Sequence, residues 1–380
     1  MASLYIHIPF CERKCLYCDF YSVEGTEMVE DFLAVLMREI SLRGEGTDPA
    51  TFETIFFGGG TPSLLEPDQV QRILSRLHSV FPVSQDAEVT LEANPGTVTK
   101  EKLQAFRSVG VNRISIGIQS FHEPELRALG RIHDRAGAFQ SIAFSRDAGF
   151  DNISLDLIYS IPGQTASLWE DSLLTAVTLA PQHIAAYSLI VEEGTPLACM
   201  VGVGKVHTNP VALEAEMYER TMEILGAHGY LHYEVSNYAL TGFQCRHNRA
   251  YWSHENYLGF GPSAHSFWKE RDGRSGRRWW NASDLSTYRD RLENGSLPVE
   301  SEEDVGTREM LDERIFLGLR TGGLDVRKLS LDFGYDLESR RGELVRWMIR
   351  EELALLEQEV LRLTPRGFLL CDEICSRLLP

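Results

Sequence analysis

The sequence predicts an α/β fold, with six β/α units on a parallel sheet followed by a smaller C-terminal α+β module. Three observations carry that prediction. Short β-rich runs alternate with helix-period segments up to about residue 230. Several of these runs are almost wholly apolar, as expected of strands whose outer face is covered by helices. Past residue 230 the alternation gives way to Gly- and aromatic-rich segments. A chain of 380 residues can hold a large sheet domain and a smaller one, and the change of pattern divides it into 1–230 and 231–380.

The first strand is Leu4–Ile8, followed by a cysteine-bearing loop and a helix over Met28–Arg43. Thr54–Phe57 leads to a helix over Pro67–Val80, and Glu88–Glu92 to one over Lys100–Val109. Arg113–Ile118 with Arg135–Ala148, Ile153–Ile158 with Ser167–Leu179, and His183–Ile190 with Ala212–His228 complete the series. Successive units of this kind imply right-handed crossovers between parallel strands. A partial barrel and a doubly wound sheet share this alternation, so the period alone does not choose between them. Beyond it, HYEVSNYA (232–239), QCRHNRAYW (244–252) and YLGFGPSAHSF (257–267) read as strands with loops, and RDGRSGRRWW (271–280) as a loop. From Asp284 the chain reads as mostly helical. It closes in EVLRLTPRGFLLCDEICSRLL (359–379), a short hairpin and helix reminiscent of a winged helix.

Composition narrows the function. Hydrophobic residues make up 43% of the chain, enough for a buried core. The formal charge of −18, from 55 acidic and 37 basic residues, excludes non-specific nucleic-acid binding, because a polyphosphate is repelled over most of such a surface. No apolar run approaches the ~18 to 20 residues of a membrane span, so any membrane contact is expected to be peripheral. MASLYIHIPF has no charged segment leading a long apolar one; it reads as a strand, and a cytoplasmic location follows as the expectation. Seven cysteines, three in one loop, suggest metal ligation plus free thiols rather than a disulfide frame.

Cys11, Cys15 and Cys18 form a C-x3-C-x2-C cluster in HIPFCERKCLYCDF. Three thiolates are one ligand short of a tetrahedral zinc site or a four-cysteine iron–sulfur cluster. His7 could complete a Cys3His zinc site. A [4Fe–4S] cluster on three cysteines would instead keep one iron open for an exchangeable ligand. GGGTP (Gly58–Pro62) follows the second strand about forty residues later, where glycines allow close backbone approach to a ligand. Glu92 in LEANP, Gln119 in GIQSF, Arg131 in LGRIH and Asp156 in LDLIY lie at or near strand ends, the place for chemistry in a parallel β/α fold. Taken singly, each reads as a structural ion pair or cap.

Together, the cysteine spacing and GGGTP resemble the signature of the radical S-adenosylmethionine (SAM) superfamily. The resemblance implies a partial (β/α)6 TIM-like barrel. It also implies a [4Fe–4S] cluster on Cys11, Cys15 and Cys18, whose open iron chelates SAM and which, reduced, cleaves it to a 5′-deoxyadenosyl radical. The order of the polar residues resembles the oxygen-independent coproporphyrinogen III oxidase family over essentially the whole chain. On that resemblance the SAM contacts fall on Tyr5, Tyr17, Gly59, Gly60, Thr61, Glu92, Gln119, Arg131 and Asp156. Ribose hydroxyls or the SAM ammonium would supply the donors that a buried carboxylate needs, and Arg131 would fork onto the SAM carboxylate.

Two departures place the chain within that family. Cys18 is followed by Asp19 and Phe20 where the oxidases carry a fourth cysteine, and their long segment before the cysteines has no counterpart in this sequence. Both features are similar to the haem chaperone branch. HNRAYW, with His247, Asn248, Tyr251 and Trp252, resembles the H-N-x-x-Y-W motif of that branch, whose histidine is the proposed haem ligand. On residues alone, His247 reads as a satisfied histidine in an aromatic core. The resemblance implies a protein that binds haem, the cluster and SAM, and passes haem to an acceptor such as a membrane-bound respiratory haem protein. The alternative it allows is a radical enzyme that decarboxylates tetrapyrrole propionates. Of the remaining residues, Cys371 and Cys375 would share a helix face as buried thiols. His265 is either near the porphyrin or structural. Trp279 and Trp280 beside Arg277 and Arg278 read as a loop anchor, and Cys199 and Cys245 have no assigned task.

Overall fold

The structure, a computed structural model, describes residues 2–46 and 50–379. Six strands lie side by side in chain order: β1 (Ala2–Ile8), β2 (Phe52–Gly59), β3 (Val83–Ala93), β4 (Arg113–Gln119), β5 (Ile153–Tyr159) and β6 (His183–Ser188). Each is parallel to the next, so the sequence-predicted β/α series is present.

The register explains why these strands look almost wholly apolar and yet carry a site. Leu4 is paired with Ile55, Leu91 with Ile114, and Ile116 with Leu155, so one face of the sheet is a continuous apolar layer under the helices. On the other face Thr54 lies beside Glu88, Thr90 beside Arg113, Ser115 beside Ser154, and Ser154 beside His183. Because strand side chains alternate, a single register puts all of the polar chemistry on one side.

The sheet does not stop at residue 230. β7 (Leu231–Glu234) and β8 (Asn237–Ala239) form a hairpin added antiparallel to β6. β9 (Asn256–Phe260) pairs parallel with β1, and β10 (His265–Lys269), β11 (Gly276–Asn281) and β12 (Val299–Val305) follow antiparallel. The result is an open twelve-stranded sheet in the order β12-β11-β10-β9-β1-β2-β3-β4-β5-β6-β8-β7. Its apolar core runs on to Leu292, while a separate core spans Leu311 to Leu378. That second core holds the hairpin Ala354–Glu357 with Val360–Leu363 and the helix Cys371–Leu378, as the sequence suggests for the tail.

Two segments differ from the sequence reading. RDGRSGRRWW is not a loop throughout: from Gly276 it is β11, with Arg277 opposite Asp304 and Arg278 opposite Glu303. Charge matching with an acidic neighbour stabilises a strand that its own sequence does not advertise. HNRAYW is not strand or loop but a helix, α1 (Arg246–Trp252). Its first amides, on Arg246 and His247, each donate to Glu88 at 3.2 Å, a carboxylate at the positive end of the helix. That cap lies 158 residues away in sequence, beyond the reach of a local pattern. Among the described residues no helix is long and apolar enough to cross a membrane.

Candidate functional site

The polar face opens into a cavity of about 430 Å3 at the C-terminal ends of the parallel strands. Its wall contains Cys11, Cys15, Cys18, Tyr17, Gly59, Gly60, Thr61, Glu92, Gln119, Arg131 and Asp156. These residues come from segments scattered over nearly 150 positions. Tyr5 and His247 are not in this wall.

The cysteine loop is held by backbone bonds that the sequence cannot reveal. Leu16 donates to Leu129 O at 3.3 Å and accepts from Leu197 N at 2.9 Å, while the Arg13 guanidinium donates to Gly130 O at 2.8 Å. Below it, Gly59 has φ +106, and a Cβ there would meet the His7 ring at 2.6 Å. A Cβ on Gly60 would meet Phe10 O at 2.6 Å and Ile8 O at 2.9 Å. The glycines let β2 pass directly under the loop. The amides of Gly60 and Thr61 donate to Ile8 O (2.8 Å) and Phe10 O (2.7 Å), and that of Gly59 donates to Glu92. With its donors spent, GGGTP offers a ligand carbonyl oxygen, the acceptor an ammonium requires.

Asn94, two residues beyond Glu92 and absent from the sequence reading, links the parts. Its Nδ2 donates to Thr61 Oγ1 at 2.9 Å, and Thr61 Oγ1 donates to Cys11 Sγ at 3.6 Å. Its Oδ1 accepts from Arg131, which also donates to Gly117 O at 2.9 Å and to Cys15 Sγ at 3.5 Å. A chain of hydrogen bonds therefore runs from one cysteine to another. Gln119 completes the rim at φ +65, next to a register shift in β4. A non-glycine residue held in that region stores strain of the kind found at ligand clamps.

Burial governs the electrostatics. It pushes the Glu92 carboxyl up to about 8, and the Asp156 charge adds to the shift. Asp156 is raised by burial too, against Arg113 and hydrogen bonds from Ser115 at 3.0 Å and Ser154 at 3.2 Å. Arg113, a cation 2% exposed, was another residue the sequence reading passed over. Burial lifts the Cys18 thiol to about 11 and raises Cys11 as well, with the neighbouring thiols contributing. Two crowded thiols that resist ionisation are the state a cationic iron–sulfur core reverses, so the donor set fits such a group. Zinc fits less well. His7 donates from Nε2 to Tyr21 O at 2.9 Å and accepts from Tyr5 OH at 3.2 Å on Nδ1, leaving no nitrogen for a fourth ligand. Among the described residues no three His, Cys, Asp or Glu side chains converge as on a single ion.

The remaining residues sit elsewhere. Tyr5 lies beneath the cavity, close enough to Glu92 for that carboxylate to reinforce the burial that raises its phenol. His247 is 1% exposed, with Nδ1 bonded to Thr54 Oγ1 at 2.7 Å, Nε2 to Tyr251 OH at 3.1 Å, and its ring stacked on Phe56 at 4.9 Å. Burial lowers its pKa to about 3. His265 stacks on Trp280 at 5.5 Å. Arg43 lies over Trp279 at 5.0 Å, and Arg277 and Arg278 pair with Glu302 and Glu303, so the basic aromatic patch is locally neutralised. Cys371 and Cys375 are buried with sulfurs 3.9 Å apart, Cys199 is exposed, and Cys245 donates to Glu88 at 3.6 Å.

Comparison with known proteins gives this geometry its class. The description "Radical SAM superfamily" matches residues 5–176, and "HemN C-terminal domain" matches residues 307–370. Coproporphyrinogen III oxidase (HemN) from Escherichia coli, described as a radical SAM enzyme, superposes with a TM-score of 0.84 at 21% identity, over 100% of this chain and 90% of that one. The fold is that of a radical SAM protein. The chain is 37% identical over 378 residues to heme chaperone HemW of Bacillus subtilis, covering 98% of each. It is 33% identical over 382 residues to heme chaperone HemW of Lactococcus lactis, covering 99% of this chain and 97% of that one. The chain belongs to the HemW haem chaperone family.

Proposed function

We propose that this protein binds haem together with a [4Fe–4S] cluster and SAM, and delivers the haem to an acceptor haem protein, for which a membrane-bound respiratory enzyme is the expected kind. The observation that carries this reading is that three cysteines, the glycine segment and the Glu92 and Asp156 carboxyl groups line one cavity, in a chain of the HemW family.

Cys11, Cys15 and Cys18 would hold the cluster, which supplies an iron able to chelate SAM and a source of single electrons. The protein's own contribution is binding and orientation. Carbonyls of Gly59 and Gly60 suit an ammonium, Arg131 suits a carboxylate, and Asp156 suits ribose hydroxyls. Glu92, protonated below about pH 8, can donate as well as accept. Arg131 also donates to Cys15 Sγ at 3.5 Å, which fixes the position of that sulfur at the cavity.

The test has two parts. After anaerobic reconstitution, Cys15→Ser should lose most of its iron and acid-labile sulfide; a full complement in that variant would sink the three-thiolate assignment. Haem-loaded protein mixed with an apo-haemoprotein should then transfer haem, seen as the acceptor's own spectrum. Decarboxylation of coproporphyrinogen III without haem transfer would replace this reading with the radical-enzyme one.

A further inference from the structure

A second cavity, of about 650 Å3, lies on the same face of the sheet. Tyr187 of β6 is in the walls of both cavities. The register carries the face across: Tyr5 is opposite Gly259, Tyr257 opposite Phe267, and Phe267 opposite Arg278. The wall is rich in flat rings, with Tyr187, Tyr251, Trp252, Tyr257, Phe267 and Phe316 all contributing. The volume is within the ~300 to 1,000 Å3 range of small-molecule sites, and broad aromatic faces suit a flat conjugated macrocycle.

His254 is in this wall, directly after α1. Its ring stacks on Phe267, with centroids 4.6 Å apart and planes at 15°. Its Nε2 is 2.9 Å from Glu313, and Glu313 is held by Arg278 through two bonds of 2.8 Å. Both ring nitrogens are buried without a hydrogen bond of regular geometry, Nδ1 having no polar partner and Nε2 only the close charge contact to Glu313, and the backbone is left-handed at φ +56. The Glu313 carboxylate beside Nε2 favours the tautomer with its proton there, which leaves the lone pair on Nδ1, as in metal-ligating histidines backed by a carboxylate. An unpartnered buried nitrogen and a strained backbone are both costs, of the kind maintained where a ligand repays them. His247 presents the opposite picture, with both nitrogens bonded inside the protein and no place in this wall.

We propose that this second cavity is the porphyrin seat and that His254 is the side chain offered to the iron, while His247 locks α1 onto the sheet beneath it. The inference rests on the haem-binding reading above and adds where the macrocycle sits. Nδ1 is covered by protein here, so ligation requires the ring to lift off Phe267.

The experiment is an anaerobic haem titration of the full-length, cluster-reconstituted protein, read in the Soret band and by resonance Raman. Wild type should saturate near one haem per chain. His254→Ala should bind at least tenfold more weakly with a shifted Soret band, and added imidazole should restore the original band. Leu317→Trp, which narrows the cavity from the helix Thr307–Leu319, should weaken binding by a similar factor. His254→Gln serves in place of the alanine variant if the latter does not fold, judged by cluster content and circular dichroism. An unshifted Soret band in a folded His254 variant overturns the ligand assignment. Unchanged affinity in Leu317→Trp overturns the cavity. Absence of saturable binding by wild type overturns the haem reading itself, and the placement with it.

Discussion

Glu92 shows how much of this site depends on the state of one proton. Burial, with the Asp156 charge behind it, holds the carboxyl at about 8 where an unfolded chain has 4.5. The folded state therefore binds more protons than the unfolded one between those values. The sign follows: Glu92's contribution is most favourable below about pH 4.5 and is lost as pH rises through about 8. Glu92→Gln removes the charge but keeps the shape. In the metal-free protein its melting temperature should gain on wild type by several degrees at pH 8.5 and by little at pH 5. An equal gain at both values would show that Glu92 is not protonated. At this scale the sequence was most informative about chemistry and least about partners. The cysteines announce themselves by spacing, Glu92 and Asp156 only through the family resemblance, and the cavity gathers all five. Asn94 and Arg113 were legible only as an amide and a cation near strands, because their meaning lies in contacts with Thr61, Arg131 and Asp156 that sequence order does not encode.

Among the elements, the crossing of β2 beneath the cysteine loop is the tightest feature. Gly60→Ala would drive a methyl group into the Phe10 and Ile8 carbonyls, and should cost about 1 to 3 kcal/mol as overpacking. The cluster content of the variant should fall with stability, since the displaced backbone carries Cys11; a fully loaded, equally stable variant would contradict that coupling. Glu39, on the helix Val29–Gly44, is a second pin. It is fully buried and accepts from Tyr288 OH (2.7 Å), Asn281 Nδ2 (2.6 Å) and Gly261 N (2.8 Å). Glu39→Ala leaves those donors unpaired and should destabilise by about 3 to 5 kcal/mol, measurable by denaturant unfolding. The parallel strands were readable because apolar runs alternate with amphipathic ones. α1 was not, because Glu88 of β3 caps it from far along the chain.

For the whole molecule, composition marks a change near residue 230, but packing does not respect it. β9 joins β1 across some 250 positions, a pairing that no window of sequence contains. The separate core, from Leu311 onward, is tied to the main sheet through Arg320. Its carbonyl accepts from Val235 N at 3.0 Å, its guanidinium pairs with Asp372, and it lies over the Phe316 ring. Arg320→Ala keeps that carbonyl but removes the pairing with Asp372 inside the separate core, so limited proteolysis should cut within residues 311–378 faster than in wild type while the cluster is retained. Equal cleavage rates would mean that the Arg320 side chain contributes little to holding that core together.

Tyr187, standing in two walls at once, makes the contents of the two cavities answerable to each other. An occupant that turns this ring on one side changes the room available on the other. With SAM and haem in the two cavities as proposed above, thermodynamic linkage imposes a closed cycle: the factor by which SAM alters haem affinity must equal the factor by which haem alters SAM affinity. Titrating in either order must return the same number, and loading order becomes a matter of kinetics alone.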